Sequence, residues 1–104
     1  MNWNSKEKKR LIEAILALTS PKEAECFLRD LMTEGEIEEF SRRLQAAEML
    51  TDKVPYSTIE KETGLSSTTV ARVSKWLNGE LGGYKSVINK MHHNNFYQQK
   101  KGLS

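Results

Sequence analysis

At 104 residues the chain has room for one domain and not two. Charged residues make up 29% and the hydrophobic class 38%, a globular balance rather than a disordered one. No apolar run approaches the ~18 residues that a membrane span needs, the basic stretch 1–10 is not followed by a secretory-signal pattern, and Cys26, the sole cysteine, excludes an intrachain disulfide and a cysteine-rich zinc site.

A chain of this size buries roughly two-thirds of its unfolded surface, so a single copy has a thin core and pairing of copies is open from the start. One cysteine and no membrane-length segment predict a reducing, cytoplasmic setting with no membrane partner. The formal net charge is +2, but it is unevenly placed. Over residues 1–55 nine basic side chains stand against eleven acidic ones, a balance of −2, and over residues 56–104 seven stand against three, a balance of +4. An acidic scaffold followed by a basic module points the second half toward a polyanion.

Two prolines and six glycines, the latter mostly late in the chain, favour helices. Leu11, Ile12, Ile15, Leu16 and Thr19 recur at helical spacing. Ser20-Pro21 ends that helix and starts a second, with Ser20 as cap, Pro21 in the first position and Glu23 three residues after the cap. Ala24, Phe27, Leu28 and Leu31 form its apolar stripe, and Cys26 beside them reads as a buried or half-buried structural thiol. Thr33 and Glu36 form a capping box for a long helix reaching about Leu50, with Ile37, Phe40, Leu44 and Ala47 on one face. Its early glutamates and the later Arg42 and Arg43 suit the helix dipole better than a metal site, because neighbouring carboxylates on a helix diverge.

Residues 51–56 read as a connector. Ser57 is the expected cap of a short helix across Ile59 to Thr63, which Gly64 stops by entering the left-handed region. Leu65 is apolar, and Ser66 or Ser67 caps a further helix holding Val70, Val73 and Leu77 on one face. Asn78-Gly79 closes it, Gly82-Gly83 turns, and a last helix carries Tyr84, Val87, Ile88 and Met91. One domain over residues 1–91 and a polar, flexible tail over 92–104 are the expected organisation. The adjacent pair His92-His93 lacks the spacing of a helical metal site.

Residues 57–77 carry the functional signal: short helix, glycine turn, second helix, with Ile59, Leu65, Val70 and Val73 turned inward. This is the helix-turn-helix pattern. Its second helix opens on Ser66, Ser67, Thr68 and Thr69, small hydroxyls on a positive helix end that can approach phosphates and base edges. Arg72 and Lys75 lie further along, within reach of the DNA backbone, and Ser57 adds a hydroxyl on the first helix. The small residue usual in the middle of the first helix is replaced by Glu60 or Lys61.

The run Ile59-Glu60-Lys61-Glu62-Thr63-Gly64-Leu65-Ser66-Ser67-Thr68-Thr69-Val70-Ala71-Arg72-Val73-Ser74, behind the Thr33 helix, resembles the tryptophan repressor superfamily. With Leu77-Asn78-Gly79 and Gly82-Gly83-Tyr84 it is most similar to the TrpR-like YerC/YecD branch, and the resemblance covers about residues 21–91. It implies an all-α fold of about six helices and an intertwined homodimer. It also implies a DNA-binding transcription regulator of the repressor type, reading a palindromic operator in double-stranded DNA with Ser66, Ser67, Thr68 and Thr69.

The same resemblance marks a possible effector pocket at Thr33, Arg43, Arg72, Val73 and Trp76. Thr33, Arg43 and Arg72 match the threonine and two arginines that hold tryptophan in the repressor. Val73 stands where the repressor has glycine and Trp76 where it has serine, and both add bulk where an indole would lie. Trp76 is four residues after Arg72, so the two can meet on the helix. Either Trp76 fills the slot or it anchors a core or dimer interface; both readings predict that tryptophan is not the corepressor. No cofactor is indicated, and Arg43 and Thr33 still offer an anion site to a different small effector.

No phosphate loop, dinucleotide fingerprint or paired catalytic carboxylate is present, and Cys26 has no base near it in the sequence, so an enzyme is not expected. The rival from another class is a helical adaptor that uses the same basic surface to bind a protein without DNA.

Overall fold

A computed structural model describes the backbone of residues 1–102 and the side chains of residues 1–93. Among the described residues the chain forms six helices and no strand: α1 (Lys6–Leu16), α2 (Pro21–Leu31), α3 (Glu34–Thr51), α4 (Tyr56–Thr63), α5 (Ser67–Leu77) and α6 (Gly83–Gly102). The all-α expectation holds. No described helix is long and apolar enough to cross a membrane.

The chain divides into two compact units, Met1–Ile37 and the part from Glu38 onward, with the boundary inside α3. The first unit is built on local caps. Ser5 accepts the Lys8 amide at 3.2 Å and starts α1 at Lys6, earlier than the apolar periodicity alone marks. Ser20 accepts the Glu23 amide at 3.2 Å, with Pro21 opening α2 as expected. Thr33 and Glu36 close the predicted box reciprocally, at 3.1 Å to the Glu36 amide and 3.0 Å from the Thr33 amide. Those bonds hold the Glu36 carboxyl below its ordinary pKa, the Thr33 backbone amide contributing most and the Thr33 side chain next.

No residue of α1 or α2 is buried. Leu11, Ile12, Ile15 and Leu16 are 37, 40, 46 and 78% exposed, and Leu28 and Leu31 are 37 and 52% exposed. The stripes that periodicity picks out are therefore present but uncovered in one chain. Cys26 is exposed as well, which corrects the expectation of a buried or half-buried thiol: it sits beside a stripe that this chain does not cover.

The second unit holds the core. Ala46, Ala47, Ile59, Leu65, Val70, Val73, Leu77 and Ile88 form one buried cluster, with Leu44, Met49, Leu50, Val54 and Tyr84 packed on it. On α3 the deepest residues are Ala46 and Ala47, while Phe40 of the predicted stripe is half exposed. Ala46 and Ala47 are both fully enclosed, so α3 reaches the core through two small side chains in succession.

α3 ends in a Schellman motif centred on Lys53, which adopts φ 60. The Val54 amide donates to the Met49 carbonyl at 3.0 Å and the Lys53 amide to the Leu50 carbonyl at 3.0 Å. Val54 and Met49 both pack on the core, the apolar contact that accompanies this motif. A lysine in the position that glycine usually takes hides the signal in the sequence. α6 continues through the residues read as a tail from 92 on, and its bounds reach Gly102. The side chains of 94–102 and all of 103–104 lie outside the described residues.

Candidate nucleic-acid interface

α4 begins at Tyr56, one residue before the expected cap Ser57. Pro55 holds the N-cap position with extended backbone, and its carbonyl accepts the Thr58 and Ile59 amides at 3.1 Å each. The proline's fixed φ presets the entry, so no side-chain cap is made and Ser57 lies exposed in the first turn.

Gly64 ends α4 at φ 75 and ψ 5, its amide bonded to the Glu60 carbonyl at 2.9 Å. A side chain there would be strained in the left-handed region. The turn is tied from inside by buried Thr63, whose hydroxyl donates to the Ile59 carbonyl at 2.7 Å and accepts the Leu65 amide at 3.2 Å. Leu65 is 7% exposed and plugs the angle between α4 and α5 as predicted.

Ser66, not Ser67, is the α5 cap. Its oxygen accepts the Thr69 amide at 3.1 Å and its hydroxyl donates to Thr69 Oγ1 at 3.0 Å. Ser66 and half-buried Thr69 are thus committed to the helix start. Ser67 and Thr68 are exposed, and among the described residues their hydroxyls have no protein partner. Val70, Val73 and Leu77 turn the opposite face of α5 into the core. Arg72 and Lys75 are exposed on the outer face, and among the described residues neither carries an ion pair.

A bond that sequence reading missed joins the two helices: the Tyr56 hydroxyl donates to Ser74 Oγ at 2.6 Å. It fastens the N-terminal end of α4 to the middle of α5, so the turn geometry does not rest on apolar packing alone. The partners are eighteen residues apart, and no local pattern announces the pair. Gly79 follows the Asn78 cap closely: a Cβ there would sit 3.3 Å from the Lys75 carbonyl oxygen and 3.4 Å from that of Trp76.

The residues marked as a possible effector pocket have the following surroundings, each within its own unit. Thr33 belongs to the first unit, where its side chain caps α3. Val73 has zero exposure in the core. Arg43 and Trp76 do come together, the guanidinium lying 5.7 Å from the indole centroid. Among the described residues the expected Arg72–Trp76 contact is not made: the cation over the ring comes from α3, while Arg72, one turn before Trp76 on α5, is exposed. A groove of about 710 Å³ beside Trp76 is lined mainly by Leu44, Leu81, Tyr84 and Val87. No group of three or more His, Cys, Asp or Glu among the described residues could hold a metal ion.

Comparison with known proteins agrees with this arrangement. Residues 6–92 match the Trp repressor protein family. The YerC protein of Bacillus subtilis (strain 168) is 36% identical over 86 residues, which span 83% of this chain and 83% of that one. The crystal structure of a TrpR-like protein from Eubacterium eligens ATCC 27750 superposes with a TM-score of 0.83 at 33% identity, covering 86% of this chain and 93% of that one. A Staphylococcus aureus protein solved as a candidate Trp repressor gives 0.82 at 34% identity, covering 88% of this chain and 95% of that one. A six-helix chain with a glycine-turned helix pair and this breadth of similarity belongs to the Trp repressor family, in its TrpR-like YerC branch.

Proposed function

We propose that this protein is a transcription regulator that binds double-stranded DNA sequence-specifically through α5. The observation that carries the reading is the exposed start of α5. Ser67 and Thr68 are open on a positive helix end, with unpaired Arg72 and Lys75 along the same helix and the opposite face locked into the core. Hydroxyls there reach base edges and phosphates, and the two cations follow the DNA backbone. Ser57 lies on α4 as a further backbone contact. The acting species is a homodimer in the cytoplasm, and its two α5 heads read a palindromic operator with half-sites about one helical turn apart. As in the family's namesake, occupancy of the operator represses.

Selection of bound fragments from a random DNA pool, followed by a salt titration on the selected site, tests the reading. Affinity falls steeply with salt, and Lys75→Ala weakens binding on all sequences alike and lowers the salt slope by about 1. A pool that yields no enriched sequence, with a protein partner held through the same surface independently of salt, would establish the adaptor reading instead.

Tryptophan is not the corepressor in this proposal. Arg43 already faces an indole of the chain itself, Val73 is core, and the Thr33 side chain is engaged in a cap. Calorimetry with millimolar L-tryptophan is expected to show no saturable heat. A one-to-one isotherm per chain, or DNA binding that requires tryptophan, would overturn this.

A further inference from the structure

The Arg43 guanidinium of α3 sets a charge between aromatic rings of α3 and α5. Its carbon lies 5.4 Å from the Phe40 ring centroid on α3 and 5.7 Å from the Trp76 centroid on α5. Its Nε is buried and makes no hydrogen bond among the described residues, although the Glu39 carboxylate lies 3.4 Å away, within ion-pair range but not in hydrogen-bonding alignment. Tyr84 at the start of α6 also feels this charge: burial raises its phenol pKa, and Arg43 pulls it the other way. A planar cation with poor hydrogen bonding on Nε gains its compensation from aromatic faces.

The stack is placed where it matters for reading DNA. Trp76 lies one turn beyond Arg72 and next to Lys75, on the helix whose N-terminal end carries the open hydroxyls. The core grips α5 along Val70, Val73 and Leu77, and the Tyr56–Ser74 bond ties its middle to α4. Trp76 lies off that core line and is 46% exposed, so its ring adds little to the core and meets instead the Arg43 guanidinium of α3.

Resting on the DNA-binding reading above, we infer that Arg43, held against the Phe40 and Trp76 rings, is a permanent pin that sets the orientation of α5 with no small molecule bound. Trp76 supplies from within the chain the aromatic face that stacks on the cation, so the DNA-reading helix is built in its working position. Arg43 and Trp76 are positioning residues and touch no DNA. Removing the Trp76 ring leaves a guanidinium facing a flat, indole-sized vacancy that opens into the apolar groove lined by Leu44, Tyr84 and Val87. That vacancy takes a free planar aromatic of the indole class.

The test uses the full chain and reads α5 with and without DNA. Variants are Trp76→Ala, Trp76→Phe and Arg43→Met; the last keeps side-chain bulk and removes the charge, and circular dichroism confirms that each is folded. In amide hydrogen exchange, α5 opens about tenfold more readily in Trp76→Ala and Arg43→Met, between the values of an exposed and a desolvated cation–π contact, and Trp76→Phe stays near the parent. Millimolar indole restores protection in Trp76→Ala and has no effect in Arg43→Met. Affinity for the selected DNA follows the same order, with the same rescue. Unchanged α5 exchange in Trp76→Ala or in Arg43→Met overturns the pin. Loosening in Trp76→Ala that indole does not reverse overturns the aromatic-face assignment. If exchange follows the expected pattern while the parent protein binds no DNA, the pin stands and the DNA-binding reading fails, so the two failures are distinguishable.

Discussion

Replacing Thr68 by glutamate is expected to abolish DNA binding while leaving the fold intact. With Ser66 as the cap, Thr68 is the second residue of α5. A carboxylate in the first turn of a helix is favourable, worth about 0.3–1 kcal/mol, so the variant should melt no lower than the parent. In the complex the same carboxylate faces phosphates and acceptor edges, and loses at least about 100-fold in affinity, roughly 2.7 kcal/mol. Thr68→Ser keeps the hydroxyl and should bind within a few-fold. Electrophoretic mobility shift on the selected operator, with thermal melts alongside, measures both quantities. Full binding by Thr68→Glu would mean that the start of α5 does not face DNA.

The second large effect is a dependence of unfolding on protein concentration. α1 and α2 bury no residue, yet Leu11, Ile12, Ile15, Leu16, Leu28 and Leu31 recur on them at helical spacing. Full burial of such a side chain is worth about 1.5–3 kcal/mol, so six left open are a large uncovered stabilisation for a chain of this size. If a second copy covers them, the protein is an obligate homodimer. Its apparent stability then rises by about 1.4 kcal/mol for each tenfold rise in concentration, which moves the melting midpoint by about 3 °C. A melting point independent of concentration, or a monomer in sedimentation at micromolar protein, would remove the dimer from the account. Leu16→Asp, at the most open of these positions, should leave the second unit folded and shift the population toward monomer.

The two effects are linked through the operator. A single α5 head covers one half-site, and a palindrome is read with useful affinity only when two heads are joined at a fixed spacing. A variant that dissociates the dimer should therefore lose operator binding without any change at Ser67, Thr68, Arg72 or Lys75. The DNA interface and the dimer interface can in this way be perturbed separately and their coupling measured.

Much of the fold was legible before any coordinates. The Ser20 and Thr33 caps, the left-handed Gly64 and the inward set Ile59, Leu65, Val70 and Val73 all lie where the residues place them, and of the two serines offered as the α5 cap Ser66 takes the place. Each depends on bonds or spacings within three or four residues, or on a periodicity that a short helix preserves. The exposed Thr68 follows from the same local logic, because a cap at either serine and a core face at Val70 leave it nowhere else to point; that Ser66 caps, and so leaves Ser67 open, came from the structure.

What the tertiary structure decided concerns pairs that the chain brings together from a distance. The apolar spacing of α1 and α2 was plain, but periodicity says only that a face is apolar, not which surface covers it. Arg72 was the arginine close to Trp76 in sequence, yet Arg43 lies over the ring, because tertiary packing brings the α3 guanidinium there while Arg72, on the same side of α5, extends into solvent. The Tyr56–Ser74 bond and the lysine-centred end of α3 carry no composition signal, since a phenol or a lysine is common in any connector. Local hydrogen bonding determined where helices start and stop; the packing of α3, α4, α5 and α6 on one small core decided which side chains meet, and so how the candidate DNA-reading helix is held.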